Sequence, residues 1–137
     1  MAATALMVLS AALLFAIGAL HLVYTFHGPR LGPRDRALQI RMGEVSPIIT
    51  RETTMWRCWV GFNATHSMGL MLFGLVYGFL AIFHGGILFA SPYLLAVGLL
   101  VIGGWVAVSR AYFFRIPFVA CSLCLVLYVA SIVAARV

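Results

Sequence analysis

Few side chains in this chain are equipped for chemistry, and nearly all of them are set among apolar neighbours. The stretch WRCWVGFNATHSMG, residues 56–69, carries Arg57, Cys58, Asn63, His66 and Ser67. Upstream lie His21, Tyr24 and Thr25, and downstream come Arg110 and Arg115 in RAYFFRIP, then the C-x-x-C pair Cys121 and Cys124. Imidazoles move protons, bind metals and ligate haem iron. Paired thiols bind metals or exchange with disulfides. Arginine forks hold carboxylates and phosphates. Each type also has a structural use: a hydrogen bond across a helix pair for His or Asn, a small buried hydrophobe for Cys. His27 and His84 fall at helix ends, where capping or solvation accounts for them.

The elements that must position these groups follow from composition. The chain has 137 residues, 64% hydrophobic and 9% charged, where soluble domains have roughly a quarter charged. Four windows, 3–26, 59–83, 87–108 and 116–135, each approach the ~20 residues needed to cross ~30 Å of hydrocarbon. Unpaired backbone amides are costly in lipid, so such windows must be helices. The expected fold is an all-α integral membrane four-helix bundle forming one domain over 1–137. The first window lacks a basic leader and a small-residue cleavage site, ending instead in His21, Tyr24 and Phe26, so it is expected to be retained.

Charge sets an orientation. There is no lysine, and the net charge of +6 is arginine. Six arginines (Arg30, Arg34, Arg36, Arg41, Arg51, Arg57) lie between the first and second windows, and Arg110 and Arg115 between the third and fourth. By the positive-inside rule these connections face the cytoplasm, and both termini and the 84–92 loop face outward, as in a bacterial inner membrane. Contact with membrane lipid headgroups is the ordinary role of such arginines. Nucleic-acid binding is not expected, since no compact basic domain exists. The segment 28–55 opens with Pro29 and Pro33, and then interleaves Leu38, Ile40, Met42 and Val45 with Arg36, Arg41 and Glu44 before Pro47. That pattern predicts a short interfacial amphipathic helix over 35–45, part of a cytoplasmic cap. The acids Asp35, Glu44 and Glu52 are expected to pair with nearby arginines. Trp56, Trp59, Trp105, Tyr112 and Phe113 fall near the same boundary. Gly74 and Gly78, with Gly98, Gly103 and Gly104, are expected at close helix contacts within the chain or in a homo-oligomer.

Helical angles place Asn63, His66, Leu70 and Tyr77 within about 40° of Trp59, on one stripe flanked by Ser67. By chain length His21 lies about 8 Å, His66 about 10 Å and Cys121 about 9 Å inside their boundaries. The leading reading is therefore a polar intramembrane site for a lipid-like or other lipophilic small molecule, contacted by Tyr24, Arg57, Asn63, His66, Ser67, Arg110 and Arg115. A second is a redox protein holding haem b through His21 and His66, with Arg57 or Arg110 near the propionates, or a zinc or copper ion through the histidines with Cys121 and Cys124. A third is a membrane enzyme with His66 as acid/base and Arg57, Arg110 or Arg115 holding an anionic substrate.

Several resemblances bear on these readings. CSLC, with Cys121 and Cys124, resembles the four-helix quinone-coupled disulfide oxidoreductases of the vitamin K epoxide reductase type, but the first connection has no shuttle cysteines. Arg57 and Asn63, with the basic, proline-containing start of the last helix, echo the membrane-associated eicosanoid and glutathione enzymes; the Arg to Asn spacing differs and no glutamate follows Asn63. Length and helix count resemble the small multidrug exporters, whose first helix carries a glutamate; here no carboxylate lies between Met1 and Phe26. WRCWVGFNATHSMG, LMLFGLVYGFL and RAYFFRIP together look most like a functionally uncharacterised group of small bacterial four-helix membrane proteins, a resemblance that implies the fold and supplies no mechanism.

Overall fold

Short polar punctuation in an apolar chain decides where its helices start and stop. The computed structural model describes residues 1–137 and contains six helices and no strand: α1 (Ala2–Phe26), α2 (Arg36–Glu44), α3 (Met55–Phe83), α4 (Gly85–Ala90), α5 (Pro92–Tyr112) and α6 (Arg115–Ala134). Asp35 caps α2, its carboxylate accepting from the Ala37 N–H at 2.8 Å, which satisfies one of the donors every helix start leaves over. α3 begins at Met55, four residues before the hydropathy window. Arg57 depresses hydropathy without opposing a helix, and the Thr54 hydroxyl accepts the Arg57 N–H at 3.4 Å. The window 87–108 is divided. Ser91 accepts from the Leu94 N–H at 3.3 Å and Pro92 opens α5, a Ser-Pro start that separates α4 from α5 and shifts the long helix to end at Tyr112.

α1, α3, α5 and α6 are long and apolar enough to cross a membrane, yet only 22–33% of each one's apolar window is buried within the chain. Phe62 is 75% exposed and Leu100 74%. Apolar area left in water forfeits roughly 25 cal/mol per Å², whereas hydrocarbon solvates it. The four helices thus have the composition and outward faces of a multi-pass membrane protein.

The chain forms two compact units, Met1–Ala16 with Leu72–Val137, and Ile17–Met71. In the first unit, Gly74 lies against the Ala11 carbonyl and the Phe15 side chain so closely that a Cβ would come within 2.7 Å of Phe15. A Cβ on Gly78 would make only ordinary contact and on Gly103 or Gly104 none, so the small-residue contact rests on Gly74. Gly98 sits beneath the Tyr128 phenol and beside the Tyr77 ring. The hydroxyls of Tyr128 and Tyr77 donate to the carbonyls of Leu95 (2.9 Å) and Leu94 (2.7 Å), and Phe73 stacks on Tyr77 at 4.2 Å. Ser10 donates to the Cys124 carbonyl at 2.8 Å. No buried side-chain polar atom lacks a partner, the condition for burying polar groups at small cost.

In the second unit α1 and α3 run antiparallel: Gly18 abuts Ser67, and one turn later in α1 His21 meets Asn63 and His66. A Cβ on Gly18 would stand 2.8 Å from the Ser67 carbonyl oxygen. The chain between them carries α2, which buries no residue and whose end is tied to the start of α3 by the Met55 N–H donating to the Val45 carbonyl at 2.8 Å. The expected pairing of acids with arginines holds for Glu44, 3.2 Å from Arg41. Asp35 instead serves as the helix cap.

Candidate functional site

The polar groups of the second unit are connected in series. The Trp59 indole N–H donates to the Leu31 carbonyl at 2.8 Å, holding the proline-containing loop against α3. The Trp59 carbonyl accepts the Asn63 side-chain N–H at 2.8 Å. That bond orients the amide, so its oxygen faces His21 Nε2 at 3.0 Å. An amide oxygen only accepts, so His21 Nε2 is the donor in this bond. The Thr25 hydroxyl donates to the His21 carbonyl at 2.8 Å. The His66 ring stands edge-on to His21, with centroids 5.3 Å apart and planes at 77°.

Beside this series lies a cavity of about 100 Å³ bordered by Tyr24, Thr25, Gln39, Trp56, Trp59 and Asn63 with the 28–33 loop. It has room for about three waters at liquid density, the size of a polar headgroup fragment rather than of the ~300–1,000 Å³ sites of drug-sized ligands. Its walls offer aromatic faces, the hydroxyl-bearing Tyr24 and Thr25, and amides, and no charged side chain. The Arg30 guanidinium lies 4.3 Å over the Tyr24 ring.

The structure distributes the sequence-derived candidates unevenly. Tyr24 and Asn63 border the cavity, and His66 stands next to His21. Ser67 is fully buried, donating to the Asn63 carbonyl at 2.8 Å against Gly18. Arg57 is exposed at the start of α3. Arg110 and Arg115 belong to the first unit and are exposed, with Arg110 5.8 Å over Phe118. Tyr77, which shares the Asn63 stripe by angle, is bonded to Leu94 in the first unit.

Cys121 and Cys124 are free and buried in the first unit, and Cys58 is free and half-buried. No three His, Cys, Asp or Glu side chains gather to hold a metal ion. Of the two histidines read as haem ligands, His21 engages Asn63 through Nε2, and its ring meets that of His66 edge-on.

Trp56 and Gly18 escape a reading based on polarity alone, and Gln39 lies in α2, outside the apolar windows. The W-x-x-W spacing and a glycine one turn before His21 were the available signals, since the first brings two indoles to a helix start and the second permits close approach. Comparison with known protein families, curated proteins and solved structures finds no match.

Proposed function

We propose that the four long helices form an integral membrane bundle whose polar site, built from residues 17–71, binds the uncharged head of a lipid-like or other amphipathic small molecule. The observation carrying this reading is the cavity between Tyr24, Trp59 and Asn63, polar enough to orient a headgroup and free of charge. The connections between α3 and α5 and between α5 and α6 are short, favouring antiparallel neighbours. The arginines of 28–57 and 110–115 support a cytoplasmic side for the amphipathic segment, with both ends of the chain outward, and the inner membrane of a bacterium is the setting this orientation suits.

Chemically the site needs no reaction. Tyr24 and Gln39 supply hydrogen bonds, Trp56 and Trp59 supply flat apolar walls, and Asn63 is held rigid by its bonds to His21 and to Trp59, which lowers the entropy lost when a head is captured. Native mass spectrometry of the protein released in mild detergent tests it. The expected result is a discrete mass excess, neither bulk lipid nor detergent, that Asn63→Leu and His66→Ala both lose while remaining folded. Retention of the passenger at equal occupancy in both variants would place binding elsewhere. For topology, Ser46→Cys in a Cys58→Ser background should resist a membrane-impermeant maleimide applied to intact cells, and efficient labelling would invert the orientation.

A further inference from the structure

A second feature of the 28–55 segment lies outside the cavity. After α2 the Thr50 N–H bonds the Pro47 carbonyl at 3.3 Å, making a turn whose tip is Ile48 and Ile49, 109% and 91% exposed. A fully exposed pair of isoleucines at a turn is unusual because turns favour Gly, Asn, Asp and Ser. The position of this turn relative to α3 is constrained. Val45 and Met55 are bonded to each other, so residues 46–54 leave from and return to the first residue of a membrane-length helix. Nine residues that close on themselves reach at most about 15 Å from that point, at ~3.4 Å per residue, while the interfacial layer is itself roughly 5–7 Å thick per leaflet. Leu38 and Ile40 of α2 are exposed as well.

The charges around this apolar tip are mostly cationic. Arg34, Arg36, Arg41, Arg51 and Arg57 are all exposed. Against them stand Asp35 at the α2 cap, Glu44 paired with Arg41, and Glu52 beside Arg51. The segment 28–57 therefore keeps a positive excess of three, six arginines less three acids. We infer that the Pro47–Thr50 turn is a docking element for an anionic lipid surface, inserting Ile48 and Ile49 among the acyl chains nearest the headgroups while the arginines of α2 and its flanks meet lipid phosphates. Apolar anchors and a basic rim act together in such docking: the first supplies depth and the second selects anionic lipid. The assignment rests on the tether to α3 and stands independently of the cavity.

The test uses the full chain with Cys58→Ser and Ile49→Cys, leaving Cys121 and Cys124 buried, and a polarity-sensitive fluorophore on the new thiol. The protein is reconstituted in vesicles of phosphatidylcholine alone or mixed with phosphatidylglycerol, each with or without acyl-brominated phosphatidylcholine. These readouts do not depend on which way the protein inserts. The expected result is blue-shifted emission and strong bromine quenching in phosphatidylglycerol vesicles, both reduced in phosphatidylcholine alone and both lost when Arg36→Gln and Arg51→Gln are combined. Water-like emission in both vesicles would overturn the proposal. So would emission that ignores lipid charge, or a blue shift that grows with protein density without bromine quenching, which would mean a second copy covers the turn. A label at Ile48→Cys repeats the measurement should the Ile49 variant fail to insert.

Discussion

The two units place the same kinds of residue in apolar helices and obtain opposite results. In the first unit, hydroxyls of Ser10, Tyr77 and Tyr128 donate to carbonyls of neighbouring segments, and Gly98 beneath the two tyrosines allows their close approach. In the second unit, Trp59, Asn63, His21 and Thr25 bond one to the next, with Trp59 also bonded to the loop at Leu31, and space remains beside them. Polar residues in a membrane-length helix thus do not by themselves mark a site. What separates the two cases is the element opposite. The buried hydroxyls of Ser10, Tyr77 and Tyr128 are taken up by the helix opposite, whereas a proline-containing loop held at one indole leaves room.

This contrast predicts a gradient of mutational effects. The largest belongs to Gly98→Val, which drives methyl groups into the Tyr128 phenol and the Tyr77 ring. Overpacking of this kind costs roughly 3 kcal/mol, and thermal melts of the purified protein in detergent should show the loss. Tyr128→Phe removes the hydroxyl that bonds Leu95 and meets the Tyr77 hydroxyl while leaving the shape, for about 1 kcal/mol, read in the same melts. Asn63→Leu should cost less still, near the ~0.6 kcal/mol average of interhelical hydrogen bonds in membranes, while abolishing the passenger in native mass spectrometry. If Asn63→Leu lowered the melting temperature as far as Gly98→Val, the second unit would be a packing core and the contrast would fail. The smallest stability effect is expected for Trp59→Phe, which keeps a ring but drops the indole donor. Its signature is faster proteolysis or hydrogen exchange of residues 28–33 with a melting temperature changed by little.

Much of this architecture is legible in the sequence because membranes impose a length on apolar helices. The four spans emerge from hydropathy, and Asp35 before an amphipathic run announces α2. The ends are read less well where hydropathy and helix formation disagree. Arg57 is polar but helix-compatible, so α3 starts early, and Pro92 is apolar enough to be absorbed into a window that it divides. Within the site, His21, Asn63 and His66 come together because an intramembrane polar residue has few tolerable surroundings. Angle and depth describe one helix at a time and say nothing of its neighbours, so they do not foresee that the Tyr77 hydroxyl bonds the Leu94 carbonyl. Gly18 carries no polarity at all, and its importance is visible only once Ser67 stands opposite it.

Trp59 holds two things at once. Its indole secures the loop at Leu31, while its backbone carbonyl orients Asn63 and through it His21. Two events anchored in one residue share a free energy, and such coupling is reciprocal. Occupancy of the cavity and closure of the loop therefore favour or oppose each other by the same factor in either direction. The intrinsic fluorescence of this one indole, isolated by replacing Trp56 and Trp105 with Phe, would follow both, making Trp59 a reporter that needs no added label.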